Sequence, residues 1–293
     1  HQHGKMLACS VNRDIIAVVT PTDDNVVRIT SEGFPDIRPI TISKAGLKLA
    51  FDEQGTTESL IKGIVSQFQK LGYEVGGFNA YITSEVPLYS GMSSSAAIEV
   101  LLATILNGLY NSGSINPLII AQIAQYAENI YFGKPCGLMD QCASSVGALI
   151  HIDFKDNDHP VVEKVDVDFS SFHHSLCIVD VHASHADLTP DYAAIPSEMK
   201  EVAAYFGKKF LREVSEEGFI KEISNIRHSI GDRAVARALH YFEEDKRVEK
   251  ITKALKDNDF ETFKACIKSS GDSSFKYLQN IYSNNDINNQ AVT

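Results

Sequence analysis

No apolar run in this 293-residue chain approaches the ~20 residues that a membrane-spanning helix needs. No segment at its start has the basic, apolar and small-residue parts of a secretory signal. The chain also lacks a cluster of Lys and Arg, and its formal net charge is −11, so neither nucleic acid nor an anionic membrane is expected as a partner. Its five cysteines, Cys9, Cys136, Cys142, Cys177 and Cys266, include no Cys-x-x-Cys spacing. They read as reduced thiols or core packing in a cytoplasmic protein. No internal repeat or low-complexity tract is present. Neither Gly-x-x-x-x-Gly-Lys-Ser/Thr nor Gly-x-Gly-x-x-Gly occurs, which excludes the P-loop and leaves a dinucleotide fold without support. The length, with 44% apolar residues, suffices for two ordinary domains, expected as residues 1–165 and 166–293.

Against those absences stands one dense stretch, Val86-Pro87-Leu88-Tyr89-Ser90-Gly91-Met92-Ser93-Ser94-Ser95-Ala96-Ala97-Ile98-Glu99. Phe78, Ala80 and Ile82 alternate as a strand that Pro87 ends, and Ile98, Leu101, Leu102, Ile105 and Leu109 recur at helical spacing. A small-residue loop therefore runs from a strand into a helix beginning near Ser95. The first turn of a helix carries backbone N–H groups with no intrahelical acceptor, and the macrodipole adds positive charge there. Gly91 permits positive φ or a close backbone approach, and Ser93, Ser94 and Ser95 offer hydroxyls to an anion or a cation. Taken alone, the serines read equally well as an ordinary helix cap.

A second constellation follows at Glu128-Asn129-Ile130-Tyr131-Phe132-Gly133-Lys134-Pro135-Cys136-Gly137-Leu138-Met139-Asp140-Gln141. Asn116-Pro117 opens a helix as cap and first residue, and Ile120, Ile123, Ala124 and Ala127 carry it to about Glu128. Gly133, Pro135 and Gly137 then make a tight loop that delivers Asp140 among apolar and small residues. Asp140 is open to reading as a working carboxylate or as a cap for a helix starting near Gln141, and Glu128 as a ligand or a solvated helix end.

Strands are expected over 15–20, 26–30, 147–152, 161–167 and 176–181, and a helix over 59–71 that buries Leu60, Ile61, Ile64, Val65, Phe68 and Leu71 before Gly72 stops it. After Pro196 the pattern turns helical, with faces at Met199, Val202, Ala203 and Phe206, at Val248, Ile251 and Leu255, and at Phe260, Phe263 and Ile267. His182 and His185, with Asp180 and Asp187 nearby and His173-His174 upstream, suggest a metal-dependent hydrolase. Residues i and i+3 of a strand point to opposite faces, which argues against convergence on one ion.

The serine loop resembles the Pro-x-x-x-Gly-Leu/Met-Ser-Ser-Ser-Ala phosphate motif of the GHMP small-molecule kinases. The second segment resembles the Gly-x-Met-Asp-Gln element of galactokinases. His1-Gln2-His3-Gly4 is similar to the residues just after the galactokinase Glu/Asn-His-Thr-Asp signature. Leu188-Thr189-Pro190-Asp191-Tyr192, with Glu198 and Val202, looks like the segment that brings a tyrosine to the sugar, and residues 233–248 look like a later family helix. The sequence starts at His1 without a methionine and stops at Thr293 before any glycine-rich third motif, so it reads as a fragment lacking the first and third family motifs.

The resemblance implies an α+β, two-domain GHMP kinase fold with its active site in the cleft between a mixed N-terminal domain and a C-terminal domain. It implies ATP and Mg²⁺, with the phosphates held by Gly91, Ser93, Ser94 and Ser95 and the cation by Ser95 and Glu128. Asp140 is implied as the catalytic carboxylate, and Gly137, Asp140 and Tyr192 as sugar contacts. The expected reaction is phosphorylation of the anomeric hydroxyl of galactose to give galactose 1-phosphate. The alternatives are a kinase for galacturonate, N-acetylgalactosamine or arabinose, and a sugar- and ATP-binding sensor without turnover. Oligomeric state is not legible.

Overall fold

The computed structural model describes residues 2–33, 35, 37–87, 91–175, 177 and 189–283. Asp180, His182, His185 and Asp187, and all of the strand expected over 176–181 except Cys177, lie outside the described residues. The strands in chain order are β1 (Lys5–Cys9), β2 (Ile15–Thr22), β3 (Val26–Ser31), β4 (Ile40–Thr41), β5 (Gly77–Ser84), β6 (Leu149–Asp153) and β7 (Val161–Lys164). The helices are α1 (Thr57–Lys70), α2 (Ser94–Tyr110), α3 (Pro117–Tyr126), α4 (Met139–Val146), α5 (Thr189–Tyr205), α6 (Glu216–Ser229), α7 (Asp232–Lys256) and α8 (Phe260–Ser273).

Two compact units result, Cys9–Ala148 and His1–Ala8 with Leu149–Thr293. The structure thus divides the chain at Ala148 and not near Val165. The physical reason is strand pairing: β6 hydrogen-bonds to β1 on one side and, antiparallel, to β7 on the other, in the order β1-β6-β7. Residues 149–165 are thereby held by the first few residues of the chain.

In the unit Cys9–Ala148 a four-stranded sheet runs β2-β5-β3-β4, with β5 antiparallel to β2 and parallel to β3. Phe78, Ala80 and Ile82 of β5 face the core as their alternation predicts, together with Val27 and Ile29 of β3. The opposite face carries Ile16, Val18 and Tyr81 at the surface. Helix α1 starts where Thr56 accepts from the Ser59 N–H, and it buries Leu60, Ile61, Ile64, Val65 and Phe68. Leu71, expected in that buried face, is about half exposed because it follows the last turn. Asn116 caps α3 through the Leu118 N–H, with Pro117 as first residue.

In the other unit, Leu149 and Val165 pack with Ile251 and Leu255 of α7 and Cys266 of α8. A second cluster joins Met199, Val202 and Ala203 to Phe219, Ile226, Ala238 and Phe242. Helix α5 runs through Pro196 where a start after it is expected. Proline gives up one i to i−4 bond there, and the Pro196 carbonyl accepts from Gln2 Nε2 at 3.4 Å. Glu198 of α5 is held by Arg233 and, at 2.8 Å, by the fully buried Arg237 of α7. The two segments singled out by the family resemblance therefore meet in one ion-pair network. His173 and His174 sit in an exposed turn after a single 3₁₀ turn, Phe169–Phe172.

Candidate active site

The serine loop enters α2 through two unusual backbone conformations. Gly91 has φ +73°, and among the described residues no atom lies close to where a Cβ would be. Ser93 has φ 55° and ψ 46°, a left-handed conformation that costs an L-residue roughly 1–2 kcal/mol. Ser93 occupies the cap position, yet its side chain makes no capping bond. Its hydroxyl donates instead to Asp140 Oδ2 at 2.7 Å. The first-turn N–H groups of α2 are thus left without a side-chain acceptor from the cap, and the ordinary-cap reading of Ser93 fails.

The acidic residues reach the loop through an interrupted helix. Helix α3 ends at Tyr126, and Ala127–Phe132 form a π-helical turn, a deformation frequent at functional sites. Glu128 lies in that turn and is only 3% exposed, which removes the solvated-end reading. Ser95 Oγ donates to Glu128 Oε1 at 3.2 Å, and the Lys134 ammonium stands 3.3 Å from the same oxygen. The loop after the turn is fastened at Cys136, whose N–H donates to Asn129 Oδ1 at 2.6 Å and whose carbonyl accepts from Gln125 and Asn129. That loop leads through the exposed Gly137 into α4. Asp140 lies inside the first turn of α4, where Leu138 and not Asp140 is the cap residue.

The structure therefore brings Ser93 to Asp140 and Ser95 to Glu128, with Ser94 between them as the first residue of α2. Tyr192 belongs to the other compact unit, in the first turn of α5, and is 43% exposed. Residues that sequence reasoning left without a role complete the cluster. Gln141, 1% exposed, donates from Nε2 to Glu128 Oε2 at 2.9 Å and to Glu99 Oε2 at 3.1 Å. Glu99, one turn beyond Ser95, is fully buried, and burial first, then the Glu128 charge, pushes its carboxyl up to about 9. It is therefore a neutral acid at pH 7. Burial and the neighbouring Glu128 also raise the Cys136 thiol. The signal for Glu99 was its i+4 spacing from Ser95 as the one charged residue of a largely apolar helix.

Residues 59–148 match the family described as the GHMP kinases N terminal domain. A galactokinase from Streptomyces coelicolor is 29% identical over 88% of this chain and 65% of its own length. One from Thermotoga petrophila is 34% identical over 73% of this chain and 58% of its own. This chain carries a GHMP kinase N-terminal domain and is similar to galactokinases. It spans less than two thirds of those two relatives. A galactokinase of Lactococcus lactis, solved with galactose, superposes with a TM-score of 0.78 at 22% identity over 97% of this chain and 72% of that one, which shows the shared α+β fold. The family domain begins within α1 and ends where the first compact unit ends, so it encloses the serine loop, Glu99, Glu128, Asp140 and Gln141 together.

Proposed function

We propose that this chain is a kinase that transfers the γ-phosphoryl group of ATP to the anomeric hydroxyl of galactose, releasing ADP and galactose 1-phosphate. The observation that carries the reading is the pairing of the serine loop with two acidic residues, Ser93 with Asp140 and Ser95 with Glu128. A phosphate-binding helix start with a carboxylate fastened beside it is what in-line phosphoryl transfer to a hydroxyl needs. The N–H groups opening α2, with Gly91, Ser93 and Ser94, hold the phosphates. Asp140 accepts the proton of the sugar hydroxyl as the bond to phosphorus forms. Gly137 contacts the sugar by its backbone.

Three carboxyl side chains, Glu99, Glu128 and Asp140, gather here near one lysine, and the whole chain is acidic. A polyphosphate enters such a place with a cation. The Ser95 hydroxyl and Glu128 Oε1 form a pair of hard oxygens suited to Mg²⁺, and the Lys134 ammonium beside that oxygen marks a spot that attracts positive charge. No group of three His, Cys, Asp or Glu able to hold a metal occurs among the described residues, so phosphates and waters complete such a coordination shell. When bound, Mg²⁺ neutralises charge on the β- and γ-phosphates. A protein of this kind works in the cytoplasm, where ATP is. No described helix is long and apolar enough to cross a membrane.

The test is ADP release coupled to a sugar panel of galactose, galacturonate, N-acetylgalactosamine and arabinose. Turnover with galactose at the highest kcat/KM is expected. Preference for another sugar replaces galactose in the reading. Thermal stabilisation by ATP and sugar with no ADP released identifies a sensor.

A further inference from the structure

We propose that Gln141 is a positioning residue that fixes the carboxylate of Glu128, so that Oε1, and not Oε2, is presented to the Ser95 hydroxyl and to the cation of a metal-nucleotide complex. The inference rests on the reading of Glu128 as a cation ligand. The two oxygens of Glu128 have different neighbours: Oε2 accepts from Gln141 Nε2 at 2.9 Å, whereas Oε1 meets Ser95 Oγ at 3.2 Å and Lys134 Nζ at 3.3 Å. The terminal torsion of a glutamate is broad and roughly two-fold, so without a donor on one oxygen the ligating atom is not defined. A neutral amide supplies that donor without consuming the negative charge that a cation needs.

The amide is itself held. Its second N–H donates to Glu99 Oε2 at 3.1 Å, and both residues are essentially inaccessible to solvent. Gln141 Oε1 and Glu99 Oε1 are buried without a hydrogen-bond partner among the described residues. Leaving buried polar atoms unmet is costly, and here it accompanies an arrangement in which both N–H bonds of one amide are committed to two carboxyl groups. Partners behind a metal ligand that orient it are worth about 10–100-fold in affinity. Gln141 also follows Asp140 directly, so one turn of α4 carries both the carboxylate facing Ser93 and the amide holding Glu128.

Calorimetric titration with ADP, with Mg²⁺ and then with EDTA, tests this in the full chain. Gln141→Met keeps volume and removes both donors. It is expected to weaken the Mg²⁺-dependent affinity about 10–100-fold while metal-free ADP binding stays within about twofold. Glu128→Ala should show the same metal-selective loss, and adding Gln141→Met to it should cost little more. If Glu128→Ala loses the Mg²⁺ dependence and Gln141→Met keeps it, or loses both affinities equally, the positioning role is overturned and the site reading survives. If Glu128→Ala keeps the Mg²⁺ dependence, the site reading itself falls and the inference with it. Should Gln141→Met not fold, Glu99→Leu removes only the outer anchor of the amide. A metal-selective loss there supports the proposal, and its absence overturns it.

Discussion

Asp140 and Ser93 share one hydrogen bond, and the two side chains are expected to answer substitution differently. Asp140→Asn keeps the shape and removes the proton acceptor, so kcat should fall by ~10²–10⁴-fold with ATP affinity largely intact. Steady-state kinetics beside nucleotide binding checks this, and a near-normal kcat would remove Asp140 from the chemistry. At Ser93 the left-handed backbone separates two effects. Ser93→Ala and Ser93→Gly both lose the bond to Asp140, but only glycine relaxes the φ of 55°. Denaturant melts should find the glycine variant about 1 kcal/mol more stable than the alanine variant, with kcat lowered in both. Glu99 makes a prediction about pH. Its folded value of about 9 lies above the ordinary glutamate value of 4.5, so the unfolded chain releases this proton first. Its contribution to stability is complete below the ordinary value and declines as pH rises toward 9, by at most about 1.4 kcal/mol per pH unit. Glu99→Gln should flatten that decline, and the gain in melting temperature over the parent chain should be larger at pH 8 than at pH 5.

Among elements, the π-turn after α3 shows why some of the site was readable and some was not. Asn116-Pro117 announced α3, and the glycines and proline after Phe132 announced a loop, because those residues act locally on the backbone. The extra residue of a π-turn leaves no such mark, since the apolar spacing through Ala127 reads as ordinary helix. What admits the turn is on another helix. A Cβ on Gly63 of α1 would lie 2.8 Å from the Cα of Ala127, a backbone atom that cannot swing aside. Gly63→Ala should therefore cost about 1–3 kcal/mol and displace the neighbouring Glu128. A lower melting temperature together with weaker Mg²⁺-dependent nucleotide binding would be the signature. Helix α2 was legible as a helix but only in part in its orientation. Of the expected face, Leu102 and Ile105 are buried, as are Ala96, Val100, Ala103 and Leu106, while Ile98, Leu101 and Leu109 are partly buried. A largely apolar helix does not state in sequence which face lies deepest, and the interior carboxyl of Glu99 passed unnoticed for that reason.

For the molecule as a whole, the α+β class and the likeness to galactokinases were legible because the two motifs carrying them are each short and continuous. The division into units was not, because it depends on β1 finding β6 across the intervening chain, and nothing in either strand alone names its partner. The serine loop, its acidic companions and the Gln141 amide all lie in the continuous unit Cys9–Ala148.

That arrangement has a temporal meaning. As the chain leaves the ribosome, residues 5–9 emerge before 149–153 and have no strand to pair with until those follow. The unit between them can close on itself in the meantime, and by closing it draws the two distant strands together, much as a clasp shortens a cord. Pulse-labelled hydrogen exchange during refolding should accordingly find β5 amides guarded before those of β6. Simultaneous protection of both would mean that the early strand does not wait.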